Sequence, residues 1–288
     1  MKNKFELITV VLIAHKSKEI VLEFIDNLSK DIKILVIDNS NDLDLKSEID
    51  KKENVKIEFM NNNGYGSAIN YARTYINTKY FFIFSPDVKN IDDEFIEVFT
   101  EKLKDIKLFG ALGPRFLNVT KKSHKQSNIK KEIGEINSIS GAVMFFETTI
   151  FDDIDGFDEN FFLYFEEFDL CRQILKRGGK IYASGKLYVK HLGHKGSAAT
   201  DPDYSIETEM FRNWHWMWSS FYYYEKNYSY LYAVRSMYGK FFRSMFKMII
   251  FSIFFNKKKH TMYYARFSGI FNRFIGKKSW YRVKSLFQ

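Results

Sequence analysis

Glu166, Glu167 and Asp169 place three carboxylates within four residues, in the run F-F-L-Y-F-E-E-F-D-L-C-R. Like charges so close repel, and apolar neighbours resist ionisation, so at least one of the three should hold its proton to a higher pH than a free carboxylate. A carboxylate shifted in that way is suited to taking a proton from a hydroxyl near neutral pH. The plainer reading is a helix start, where the helix dipole favours acidic side chains.

Asp38 and Asp87 close two further apolar runs, in V-I-D-N-S and F-S-P-D-V. An Asp in such a place is a common turn former or helix cap. Two of them at neighbouring strand ends are able instead to meet a base or ribose, or to hold a divalent cation against a diphosphate. The segment N-N-N-G-Y-G-S-A-I-N, residues 61–70, joins a strand to a helix. Its glycines permit close backbone approach, and a helix start favours an anion. It has neither the glycine spacing of the dinucleotide fingerprint nor the lysine of a P-loop, and a tight turn is the competing reading. His191 and His194 follow a strand in K-H-L-G-H-K-G-S, where an imidazole is able to join Asp87 on a metal; a polar surface role is the alternative. Cys171 falls on an apolar helix face and reads as core packing.

The elements that must position these groups alternate. Leu7–Ala14 is a continuous apolar run, as expected of a parallel strand covered on both faces. Ile20, Val21, Phe24, Ile25 and Leu28 follow at helical spacing. Further strands are predicted at 33–37, 55–60 and 80–84, with a helix through Ile76. Four such alternations argue for a doubly wound, mainly parallel α/β sheet, in which ligands sit at the carboxyl ends of strands. A polar stretch, Asn118–Asn137, reads as a loop; a strand is expected at 139–146, a helix at Leu170–Leu175 capped by Gly178-Gly179, and a last strand at 181–189.

The chain has 288 residues, 45% hydrophobic and 27% charged, the proportions of a globular protein rather than a disordered one. Thirty Phe and eighteen Tyr suggest that much aromatic surface meets something other than water. One cysteine excludes an internal disulfide framework and suits a reducing compartment. The N-terminal apolar run is short and lacks a cleavage site, so a first strand is expected rather than a signal peptide. The net charge of +9 is uneven: residues 226–288 hold fourteen Lys or Arg and no acid, leaving 30 basic against 35 acidic residues before them. Residues 1–205 are therefore expected to form the α/β domain and 206–288 a helical, basic and aromatic extension. Phe241–Phe255 is too short and too charged to span a bilayer, and reads as a helix lying in a membrane interface.

In order along residues 7–197, I-T-V-V-L-I-A-H, V-I-D-N-S, N-N-G-Y-G-S-A-I-N, F-S-P-D-V, I-S-G-A-V-M, the Glu166–Asp169 run and K-H-L-G-H-K-G-S resemble the family 2 glycosyltransferases. The likeness is greatest to bacterial rhamnosyltransferase-type members that build surface polysaccharides. It implies a GT-A fold, a nucleotide-diphosphate sugar donor, a divalent metal (Mg²⁺ or Mn²⁺) and inversion at the anomeric carbon. By position, Ala14, His15 and Asp38 would contact the base, with Asn63, Gly64, Tyr65, Gly66, Asn70 and Ser85 also on the donor side. Asp87 matches the last Asp of the family's D-x-D motif, whose first carboxylate is here Ser85. His191 would be the second metal ligand, with His194 as its competitor. Glu167 matches the Asp of the family's Glu-Asp pair and would be the base, with Glu166 and Asp169 beside it. The expected acceptor is a glycan, lipid-linked, reached at the cytoplasmic face of a membrane whose anionic surface suits the tail. Nucleic acid is not expected as a partner, because acids at strand ends repel phosphates. The competing readings are a nucleic-acid- or membrane-binding protein built on the basic aromatic tail, a nucleotidyltransferase on a similar fold, and an inactive binder with an altered metal motif.

Overall fold

The computed structural model describes residues 5–102, 106, 109–117, 119, 126–192 and 206–283. They group into two compact units, one of residues 1–62, 67–157 and 170–200, the other of 63–66, 158–169 and 201–288.

The first unit is built on a sheet with nine strands among the described residues. β1 (Ile8–Ala14) is flanked in parallel by β2 (Lys33–Asp38) and β4 (Tyr80–Phe84), and β3 (Val55–Phe59) pairs with β2. The apolar runs of β1, β2 and β4 are buried on both faces, as a parallel sheet covered by helices requires, whereas β3 at the sheet's edge alternates, with Val55 and Ile57 buried and Lys56 exposed. α1 (Lys18–Asp26), α2 (Leu43–Ile49) and α3 (Tyr65–Arg73) make the crossovers. Beyond β4 the order is β8 (Val143–Glu147), β6 (Phe109–Phe116), β9 (Lys180–His191) and β5 (Val88–Lys89), with β7 (Ile133–Ile136) also on β9. β8 is antiparallel to both neighbours, and β5 and β7 are antiparallel to β9. Six strands run one way and three the other, so the sheet is mixed but mainly parallel.

Several elements differ from the sequence reading. The polar stretch at 118–137 contains β7, whose Gly134 and Ile136 are buried, in part of what reads as loop. The strand expected at 139–146 begins only at Val143, because Ser140 to Ala142 form a turn whose Ala142 carbonyl accepts from Ser85 N at 2.8 Å. The abundant phenylalanines go largely into the core: Phe82 and Phe145 meet tilted at 4.0 Å between centroids with Phe99 beside them, and Phe81, Phe146 and Phe151 form a second buried group. Each buried ring contributes about 1.5–3 kcal/mol relative to exposure, so the aromatic excess is first a matter of stability.

The sheet unit also carries α4 (Asp93–Lys102) and α5 (Thr148–Asp153). α6 (Glu166–Lys176) starts in the segment assigned to the second unit. That unit is otherwise three long helices, α7 (Ile206–Asn227), α8 (Tyr230–Ile253) and α9 (Lys257–Phe274). Ser229 caps α8 by accepting from Tyr232 N at 3.1 Å, and Asn256 caps α9 by accepting from Lys259 N at 3.0 Å. Trp214, Trp218, Phe221, Met237, Ala265 and Ile270 form its interior. Gly269 is required there: a Cβ on it would stand 2.4 Å from the Trp214 carbonyl oxygen. The segment expected as a separate interfacial helix at 241–255 is mostly the second half of α8. Among the described residues no helix is long and apolar enough to cross a membrane.

Candidate active site

In the sheet unit the carboxyl ends of β1 and β2 lie in register, Ala14 beside Asp38. Asp38 is fully buried, and both carboxylate oxygens are engaged: Oδ1 accepts from Ser40 N at 3.2 Å and Ser40 Oγ at 2.6 Å, Oδ2 from Asp42 N at 2.7 Å. Ser40 Oγ also accepts from Lys16 N at 2.9 Å, so one hydroxyl ties the loop after β1 to the loop after β2. His15 N donates to Ser17 Oγ at 3.2 Å. The turn-forming role of Asp38 is therefore on display, at the strand end that the sequence assigns to the donor. Asn70 is likewise a brace: its amide donates to the Phe157 carbonyl and accepts from Phe157 N, both at 2.9 Å.

Asp87 follows β4 and is almost fully buried. Ser85 Oγ donates to its Oδ1 at 2.5 Å, and His191 Nε2 lies 3.2 Å from the same oxygen. The two-residue strand β5 makes this meeting possible, because it pairs antiparallel with the end of β9 and sets Val88 opposite His191. Leu192 N closes the arrangement on the Asp87 carbonyl at 3.0 Å. A carboxylate and an imidazole on adjoining chain ends form a mixed oxygen and nitrogen set that suits Mn²⁺ or Mg²⁺ when phosphate oxygens and water complete the shell. Among the described residues no third His, Cys, Asp or Glu joins them. His194 lies outside the described residues.

In the second unit, Gly64 has φ +109°, and a Cβ on it would stand 2.6 Å from the Phe162 carbonyl oxygen, which also accepts from Tyr65 N at 3.3 Å. The close approach that the Asn63–Gly66 glycines permit is thus to the backbone of the acidic segment. Gly66 and Ser67 are buried in the first turn of α3.

Tyr164 and Phe165 precede α6 with φ of 70° and 73°, two consecutive non-glycine residues in the left-handed region. Such strain costs on the order of 1–3 kcal/mol per residue and persists only where surroundings over-determine it. Here the surroundings are aromatic: Tyr164 and Phe165 pack on Trp216 at 5.1 and 5.2 Å, and Phe165 on Tyr223 at 5.5 Å. The strained pair delivers Glu166 and Glu167 to the helix start. Glu166 is buried; Glu167 is partly exposed, but the Oε2 atoms of both are shielded from solvent and have no hydrogen-bond partner among the described residues. Burial, and then repulsion from Glu167, pushes the Glu166 carboxyl well above the usual carboxylate range. Burial pushes Glu167 up to about 7, against the opposing pull of backbone N–H groups at 167 and 168.

Asp169 is a different case. It accepts from Lys226 Nζ at 2.6 Å and from Asn227 Nδ2 at 2.7 Å, while the same ammonium reaches Asp158 Oδ2 at 2.6 Å. Tyr222 OH donates to Asp158 Oδ2 at 2.9 Å and Ser219 Oγ to the Leu163 carbonyl at 2.8 Å. Burial works against the Lys226 charge, yet Asp158 and Asp169 hold its pKa above the ordinary lysine value. Asp169 is therefore neutralised, and the raised glutamates owe their shift first to burial rather than to a three-way repulsion. Lys226 counts in the sequence as the first cation of the tail; in the structure it faces these acids. Arg273, another of the fourteen, pairs with Glu225 at 2.6 Å. The separation of 68 residues between Asp158 and Lys226 leaves no local sequence signal for the contact.

A mainly parallel sheet with polar residues at its strand ends, in a chain whose second unit is helical, defines a GT-A-type α/β fold. Residues 9–159 match the family described as Glycosyl transferase family 2, and the chain belongs to that family. The low-salt glycan biosynthesis hexosyltransferase Agl10 of Haloferax volcanii is 20% identical over 186 residues, 57% of this chain and 60% of that protein. The chain thus aligns with less than two thirds of the length of that curated relative. Among solved structures, S. aureus TarS 1-349 in complex with UDP-GlcNAc is similar with a TM-score of 0.55 at 14% identity, over 96% of this chain and 93% of that one. The mannosyltransferase PcManGT of Pyrobaculum calidifontis, in complex with GDP-Man and Mn²⁺, gives 0.54 at 9% identity, over 92% and 86%. At these identities the likeness shows the fold.

Proposed function

We propose that the chain is an inverting hexosyltransferase that moves a sugar from a nucleotide-diphosphate sugar to a hydroxyl of a glycan acceptor, in the assembly of a surface polysaccharide. The carrying observation is the Glu166–Glu167 pair, raised by burial at the start of α6, in a chain of this family. In a single displacement Glu167 takes the acceptor's hydroxyl proton as that oxygen bonds to the anomeric carbon. The bond from that carbon to the diphosphate oxygen breaks, and its electron pair leaves with the diphosphate. Asp87 and His191 are the residues that would hold Mg²⁺ or Mn²⁺, and the ion there would supply positive charge against the departing diphosphate. Ala14, His15 and Asp38 would line the base, with Asn63 to Gly66, Asn70 and Ser85 on the donor side. The nucleotide-sugar complexes of the two structural relatives support a donor of this chemistry. Asp38 is compatible with a pyrimidine base on that donor.

The test is a thermal-shift panel of UDP, dTDP, GDP and their sugars, with and without Mg²⁺ or Mn²⁺, followed by transfer assays with Glu167→Gln. A ligand that binds only the folded state stabilises it by RT ln(1 + [L]/Kd). A metal-dependent shift with one donor, and loss of transfer in the variant with donor binding kept, is the expected result. Full transfer by the variant would move the base elsewhere.

The same proposal places the enzyme at the cytoplasmic face of a membrane carrying a lipid-linked acceptor. Support comes from α8, where Tyr238, Phe242, Phe246, Ile249 and Ile253 recur along one exposed helix face and Phe255 beyond it is 93% exposed. Arg235, Lys240, Arg243, Lys247 and Lys257–Lys259 accompany them, each cation contributing about 1 kcal/mol near an anionic leaflet. Co-sedimentation with phosphatidylglycerol vesicles but not with phosphatidylcholine vesicles is expected; equal recovery in the supernatant with both would remove the membrane from the proposal.

A further inference from the structure

Glu166 and Glu167 are bracketed by aromatic residues, Tyr164 and Phe165 before and Phe168 after. Trp216 packs against the first two, and Phe165 lies 5.7 Å from Phe168. Trp214 and Trp218, its neighbours on α7, are each 1% exposed and belong to the helical core, whereas Trp216 is 44% exposed and Phe168 37%. The strained backbone at Tyr164 and Phe165 holds their rings against an indole that still presents surface to solvent. Between these rings in the chain stand Glu166 and Glu167, whose Oε2 atoms are shielded from solvent and lack a donor among the described residues. A buried acceptor left unsatisfied is costly, so a ligand that brings an O–H group gains on binding.

We infer that the rings of Trp216 and Phe168 and the Glu166–Glu167 carboxylates form a subsite for a pyranose ring of the acceptor, its C–H face on the aromatics and a hydroxyl on the carboxylates. The inference deepens the transfer reading above and rests on it. A pyranose combines the two chemistries this place offers, an apolar face a few ångströms across and hydroxyl donors around the rim. A phosphate does not fit. Asp158, Asp169, Glu166 and Glu167 crowd this segment with acid, and Lys226, the cation beside them, is already bonded to Asp158 and Asp169. An anion placed here finds that ammonium taken and meets the negative charge that Glu167 carries once its proton is lost, while a neutral hydroxyl does not. The group that receives the sugar is thus the hydroxyl of another sugar and not a lipid phosphate, whatever carrier holds that sugar.

Saturation-transfer NMR on the full chain tests this, with the methyl pyranosides of rhamnose, glucose, galactose and N-acetylglucosamine as probes. Irradiation of aromatic protons should enhance the C–H protons of one ring face in at least one probe. Trp216→Ala should weaken that probe by about tenfold, and Trp216→Phe by less. Phe168→Ala, a smaller change at an exposed ring, should weaken it too and serves if Trp216→Ala fails to fold. Binding by no probe, binding indifferent to both positions, or displacement of the probe by millimolar octyl phosphate would overturn the inference. The donor panel on the unaltered chain separates the two claims. If a nucleotide sugar binds and is used while no pyranoside depends on Trp216, the subsite is wrong and transfer stands. If pyranosides bind through Trp216 and no nucleotide sugar does, the carbohydrate site stands and transfer falls.

Discussion

Asp87 and the Glu166–Glu167 pair are all carboxylates at element ends, and the protein treats them in opposite ways. Asp87 is buried among partners, with a serine hydroxyl and an imidazole on one oxygen. The Oε2 atoms of the glutamates are shielded without a partner among the described residues, and burial, joined at Glu166 by repulsion from Glu167, lifts both above the usual range. Asp169, two residues beyond Glu167, is treated like Asp87, with Lys226 and Asn227 upon it. The difference teaches that surroundings and not residue type divide the labour: a carboxylate supplied with neighbours is ready to share a cation, and one deprived of them is ready to share a proton.

The comparison breaks most visibly at Glu167. Glu167→Gln should cut transfer on the order of 10²–10⁴-fold, the usual worth of a positioned base, with donor binding retained. If Glu166→Gln has the larger effect instead, the two glutamates exchange roles. On the partnered side, Asp87→Asn or His191→Ala should weaken metal-dependent donor binding by roughly 10- to 100-fold, and Ser85→Ala, which removes only the hydroxyl on Asp87, should do less; titration calorimetry with and without Mn²⁺ measures both.

The pH dependence separates the two treatments further. Glu167 must lose its proton to act, so transfer should fall as pH drops below about 7 and level off above it. Stability runs the other way. The carboxyl sits near 4.5 when exposed and about 7 in the folded chain, so between those values the folded state holds a proton that the unfolded state has lost. That stabilisation is complete below pH 4.5 and gone once the pH passes about 7. Glu167→Gln should therefore gain on the parent chain as pH rises from 5 to 8, by on the order of 2 kcal/mol, read as diverging midpoints in urea. A constant gap would mean that Glu167 is not raised. The smallest effect is expected at Lys226: Lys226→Met leaves Asp158 and Asp169 without their cation, at a cost of roughly 1–2 kcal/mol once partial solvent screening is allowed for. With that cation gone from the acidic segment, the acid limb of the rate profile should move to higher pH.

The parallel half of the sheet was legible because continuous runs such as I-T-V-V-L-I-A and Y-F-F-I-F admit few other fates. β6 was not, since Gly110, Gly113 and Pro114 break its pattern; its parallel pairing with β9 takes a register shift on either side of Gly113. β5 has two residues and no pattern at all, yet it brings His191 to Asp87. The residues of the acidic cluster were legible from type and spacing. Their division into raised and neutralised was not, because it depends on Lys226 and Asn227, which reach Asp169 across 57 and 58 positions of chain. The same limit holds for the tail at Lys226 and Arg273: charge counted along a sequence does not distinguish a cation facing solvent from one facing a carboxylate.

The second unit gathers three stretches that are far apart in the chain. During synthesis, residues 158–169 leave the ribosome well before the α7 side chains that brace them, and at 5–20 residues per second that interval is about 3–14 s. Until then nothing holds Tyr164 and Phe165 in their strained turn, and the glutamates stay in water as ordinary acids. The shifted carboxyls depend on later-made helix, so a nascent chain stalled before α7 carries every residue of the acidic cluster and none of the packing that sets it apart.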